Sequence, residues 1–121
     1  MGNFKNLNVW KDAMDIVTEI YGLTSNEKFS KDFGLKNQIQ RCAVSIPSNI
    51  AEGEESLTQK IAIKHFTIAK ASAAELITQL IIADRIKYIE AETRKQLERK
   101  IESIGARLNK LIQYRQSLIK K

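Results

Sequence analysis

Gln38, Arg41, Ser45, Ser48, Asn49 and Glu52 fall on one arc of a helix when successive residues are placed at helical spacing, and four of these six side chains carry no charge. A solvent-facing arc normally carries Lys and Glu, whose long charged side chains cost little in water. A row of short hydrogen-bonding groups instead suits contact with another protein surface or a ligand. The first reading is structural. An antiparallel neighbour turning near Ser56 brings Gln38 and Arg41 level with Ser72 and Glu75. An Arg41–Glu75 ion pair flanked by Gln38, Ser72 and Gln79 then ties the two helices and fixes their register. Ser48 and Asn49 serve the backbone groups that Pro47 leaves free. The second reading makes the same arc a ligand or partner surface.

Other chemistry finds little support. A di-iron bundle needs Glu-x-x-His pairs, and Ala62 stands three residues before His65, the only histidine. No C-x-x-C or H-E-x-x-H motif holds zinc, and no glycine-rich loop cradles phosphate. Ser45 and Ser48 have no histidine base in their segment. Cys42 lies on the apolar arc with nothing beside it to lower its pKa, so it reads as a small hydrophobe in a reducing compartment. The expectation is a cytoplasmic protein that is not an enzyme and needs no cofactor or metal. The opening residues M-G-N-F-K-N include no apolar stretch of the length expected of a signal peptide or membrane span, and position 6 is Asn where the myristoylation pattern has Ser or Thr.

Charge provides the other candidate. The formal net charge is +6, and residues 94–121 hold nine Lys or Arg against two Glu, so the excess is concentrated at one end. Arg94, Lys95, Arg99, Lys100, Arg107 and Lys110 either form a solvated face or bind phosphates of RNA or DNA. No recognised base-reading motif accompanies them, so binding would be sequence-tolerant.

These residues need elements to hold them. With 121 residues, one proline and five glycines, the chain predicts one domain over 1–121 and a single helical core. Helix one is expected over Leu7–Ser25, with stripes at Val9, Ala13, Ile16, Ile20, Leu23 and at Trp10, Met14, Val17, Tyr21. Phe29 and Phe33 are expected to fold over the core end. The second helix carries Leu35, Ile39, Cys42, Ala43, Ile46 and Ile50 inward, kinks or breaks after Ser45, and ends with Gly53 as a positive-φ cap. The third spans Thr58 to Lys87, with Thr58 as N-cap. The fourth runs from Thr93 to Ile119, with a seam at Leu97, Ile101, Ile104, Leu108 and Leu111 that Arg115 interrupts. Short connections imply an antiparallel up-down-up-down four-helix bundle. Apolar residues away from the inner faces, Val44, Ala51, Ile61, Ile63, Ile68, Ile77 and Ile82, predict a homo-oligomer.

Three segments carry a resemblance: F-K-N-L-N-V-W-K-D-A, F-G-L-K-N-Q-I-Q-R-C-A-V-S-I-P-S-N-I-A-E-G and H-F-T-I-A-K-A-S-A-A-E-L-I-T-Q-L. Over residues 4–89 the chain resembles the bacterial four-helix-bundle proteins encoded in intervening sequences of 23S ribosomal RNA genes. That resemblance implies a bundle assembled as a pentameric ring. It also suggests kinship with the accessory protein of diversity-generating retroelements, a basic pentamer that binds nucleic acid and a reverse transcriptase. The implied partners are further copies of the chain, RNA or DNA, and a nucleic-acid enzyme, with no membrane. The competing expectation is a protein-interaction adaptor whose charge is incidental.

Overall fold

The computed structural model of the chain describes residues 3–119; Gly2, Lys120 and Lys121 lie outside them. A 3-10 turn at Phe4–Asn6 leads into α1 (Asn8–Leu23), a single-turn α2 (Glu27–Ser30), α3 (Phe33–Glu55), α4 (Gln59–Arg85) and α5 (Ala91–Ser117), with no strand among the described residues. Side chains of the connecting residues start three of these helices by meeting their unpaired N–H groups. Asn26 accepts from Phe29 N at 2.8 Å, Asp32 from Leu35 N at 3.1 Å, and Thr58 from Ile61 N at 3.2 Å. α3 packs on α4, α4 on α5, and α1 closes the square against both α3 and α5. Sequential long helices are therefore neighbours, the up-down-up-down arrangement.

The core is filled by the expected stripes, among them Ile16, Ile20, Ile39, Ile46, Ile50, Phe66, Leu76, Leu80, Ile101, Ile104 and Leu108, all fully enclosed. Among the described residues, α4 alone is long and apolar enough to cross a membrane. Of that apolar stretch 44% is buried, against α3 and α5, which flank it on both sides.

Several local expectations are corrected. Of the kink or break expected after Ser45, the break does not occur: α3 runs on through Pro47. Ile39, Ile46 and Ile50 each gain about 2 kcal/mol by burial on the same face, which together exceeds the roughly 3 kcal/mol a helical proline costs. Gly53 is not a cap: no glycine has positive φ among the described residues, and the helix continues to Glu55. What Gly53 supplies is space, because a Cβ there would lie 2.6 Å from Cε1 of Phe66.

Phe29 alone closes the core end, its ring 5.3 Å from that of Tyr88, while Phe33 is 71% exposed. Phe33 precedes Ile46 by thirteen residues, which places it roughly 140° round the helix from the core. The α5 seam ends at Ile112 rather than Leu111, because its last step is four residues, not three. Ile63 and Ile77 pack partly against the core, whereas Ile61, Ile68 and Ile82 stay exposed, joined by Ile86 just after α4, Val44 on α3 and Met14 and Tyr21 on α1.

Candidate functional site

The polar arc of α3 meets α4 through a chain of hydrogen bonds. His65 Nδ1 lies 3.0 Å from Asn49 Oδ1 and 3.2 Å from Glu52 Oε2. Both neighbours are acceptors, so Nδ1 carries the hydrogen. Asn49 Nδ2 donates to Ser45 O at 2.9 Å and to Ser45 Oγ at 3.1 Å. The Ser45 and Ser72 hydroxyls are 2.9 Å apart, and the Cys42 thiol donates to Ser72 O at 3.2 Å. Ser45, Asn49, Glu52 and Ser72 thus belong to one interhelical network, with His65 as the member that the sequence reading left out. Its signal was its position: sixteen residues after Asn49 on a helix that folds back, His65 had to face the arc. Asn49 serves the carbonyl of Ser45 and not that of Ala43, which is the one Pro47 leaves free.

Gln38, Arg41 and Glu75 do not join this network. No Arg41–Glu75 ion pair forms, and neither residue has an oppositely charged partner among the described residues. Instead they line, with Cys42, Ser45 and Ser72, an open cleft of about 350 Å³ between α3 and α4. Burial and the neighbouring Glu75 carboxylate push the Cys42 thiol up to about 12. A thiol held protonated in this way is a poor nucleophile. Gln79, one turn beyond Glu75, is buried with Oε1 unpaired.

The six α5 cations expected to bind phosphate divide evenly. Arg94 lies between Asp84 at 3.0 Å and Glu98 at 2.8 Å, and these two carboxylates raise its already high pKa. Lys100 reaches Glu19 at 3.1 Å and Arg107 reaches Asp12 at 2.8 Å. These three residues fasten α5 to α4 and α1. Lys95, Arg99 and Lys110 lie on the exposed side of α5 without an ion pair among the described residues. Arg115, expected to interrupt the seam, is built into it. Its guanidinium donates to Glu54 Oε1 at 3.0 Å and Gln59 Oε1 at 3.1 Å, and sits 5.6 Å above the Phe66 ring. No group of three or more His, Cys, Asp or Glu able to hold a metal ion occurs among the described residues.

Residues 5–110 match the family model described as 23S rRNA-intervening sequence protein. The chain is also similar to a crystal structure of a protein of unknown function from the S23 ribosomal protein family of Bacteroides thetaiotaomicron. The two are 27% identical with a TM-score of 0.79, over 86% of this chain and 97% of that one. No curated protein matches the chain.

Proposed function

We propose that this chain, which belongs to the 23S rRNA-intervening sequence protein family, is a non-enzymatic, cytoplasmic homo-oligomer. Its proposed role is to bind RNA or DNA without sequence preference through the outward face of α5. The observation that carries the reading is the set Lys95, Arg99 and Lys110, exposed and unpaired on one helix face. Arg94, Lys100 and Arg107 are committed to carboxylates and leave the binding set. Three phosphate contacts per copy bind weakly at physiological salt, so several copies must act together.

Assembly is supported by apolar surface on two unlike faces. Ile61, Ile68 and Ile82 on α4 with Ile86 at its end mark one, and Met14, Tyr21 and Val44 mark another on α1 and α3. Two unlike faces that meet head to tail close into a ring when the rotation permits, and the family resemblance favours a ring of five.

The test is the affinity of the intact protein for generic single-stranded RNA and DNA across salt concentrations. Substituting Lys95, Arg99 and Lys110 together by Ala should reduce the log–log salt slope by roughly 2 per engaged subunit. Absence of binding at low salt rejects the reading. A second reading, an adaptor for a protein such as a polymerase, is favoured by the exposed isoleucine row of α4. A partner retained after nuclease treatment and lost on Ile68→Asp would support it.

A further inference from the structure

We infer that the α3–α4 cleft is a binding site for a free α-amino acid. Ser45 and Ser72 together carry two hydroxyl hydrogens, and their shared bond uses only one. Ser45 Oγ already accepts from Asn49, and no acceptor receives the second hydrogen among the described residues. Whichever serine donates to the other, one O–H is left over, and both serines line the cleft. When Ser45 is the donor the spare hydrogen is on Ser72, only 8% exposed, where water reaches it poorly and a ligand oxygen would satisfy it.

Above this floor stand two opposite charges that do not pair with each other. Arg41 offers a forked pair of N–H donors suited to a carboxylate. Glu75 offers a carboxylate to an ammonium group, and Gln38 both donates and accepts. A ligand bearing a carboxylate and an amine meets all of these at once. A phosphate or nucleotide fits worse, because its multiple negative charges would lie against Glu75. The volume, about 350 Å³, also suits a small molecule. The cleft is built from α3 and α4 and uses no residue of α5, so this inference and the nucleic-acid reading stand or fall separately.

The experiment titrates the intact, isotopically labelled protein with each of the twenty proteinogenic L-amino acids, up to roughly 10 mM, following its amide and arginine side-chain NMR signals. At least one should produce a saturable change centred on Gln38, Arg41, Ser45, Ser72 and Glu75. Arg41→Ala and Glu75→Gln should each weaken it about tenfold or more. Both residues are exposed and form no ion pair among the described residues, so circular dichroism should show unchanged helicity. The N-acetyl and carboxamide derivatives of the same amino acid, tested on the unaltered protein, should weaken binding likewise. The inference is overturned if no amino acid saturates or the changes map elsewhere. It is equally overturned if both variants, or both derivatives, bind as well as the originals.

Discussion

Gly53→Ala isolates a close approach between α3 and Phe66 of α4. Two effects oppose each other. Replacing a glycine in the last turn of α3 by alanine stabilises the helix by at most about 1 kcal/mol through backbone entropy. Against this, the new Cβ would stand 2.6, 2.8 and 3.1 Å from Cε1, Cδ1 and Cζ of Phe66. Carbon atoms prefer a separation of about 3.5–4.0 Å, so the ring must retreat by most of an ångström. Phe66 is fully enclosed and lies under the Arg115 guanidinium, which leaves it little room. Overpacking of this kind costs about 1–3 kcal/mol, and displacing the ring also disturbs the Arg115–Glu54 pair. Loss should therefore exceed gain, for a net destabilisation of about 1 kcal/mol and a drop of roughly 3–5 °C in Tm. Urea and thermal unfolding followed by circular dichroism measure it. Phe66→Leu in the Gly53→Ala background should restore part of the loss, a coupling that a propensity effect would not produce. A Gly53→Ala protein as stable as the original, or more so, would refute the steric account.

Arg115→Ala should cost about 2 kcal/mol, because the Glu54 carboxylate, 19% exposed, is left without its partner. Arg115→Met combined with Glu54→Gln should lose clearly less than the sum of the two single changes, measured by urea midpoints in a double-mutant cycle. Lys87→Gly should stabilise by about 0.5–1 kcal/mol. Lys87 holds φ at 68° where α4 ends, with Tyr88 N donating back to Ala83 O at 2.9 Å, and a lower urea midpoint would contradict this. Cys42 should steepen alkaline unfolding. Its thiol ionises near 9.0 when unfolded but only at about 12 when folded, so its contribution is complete below pH 9.0 and is lost as pH rises toward 12. The slope from this one proton approaches about 1.4 kcal/mol per pH unit. Cys42→Ala should flatten that limb, and an unchanged slope would show that the thiol ionises freely in the folded state.

Local patterns made much of this fold legible. The long helices, the inward stripes and the Thr58 cap depend on residues a few positions apart, which periodicity reads directly. What escaped involves partners far apart in the chain. Arg115 looked like an interruption of the α5 seam because Glu54 and Gln59 precede it by 61 and 56 residues. The other six α5 cations looked equivalent because nothing local reveals that Glu19 reaches Lys100, or that Asp12 reaches Arg107. Within the polar arc, the turn near Ser56 was enough to set Ser45 opposite Ser72. It could not decide which side chains would then bond, and Ser45, Asn49 and His65 took the contacts that charge alone assigned to Arg41 and Glu75.

The segment S-I-P-S-N-I-A-E-G, on which the family resemblance chiefly rests, now has packing reasons for most of its letters. Ile46 and Ile50 fill the core, Ser45 and Asn49 bridge to Ser72 and His65, Glu52 meets His65, and Gly53 admits Phe66. Substitution at any of these would loosen the α3–α4 joint whatever the protein's function. Packing therefore explains the signature, and leaves unexplained the neighbouring Gln38, Arg41 and Glu75, together with the hydroxyl hydrogen that the two serines do not use. Arg41 contributes nothing visible to holding the helices together, and neither does Glu75. Substituting them should leave the fold intact, and any loss that follows should be a loss of function.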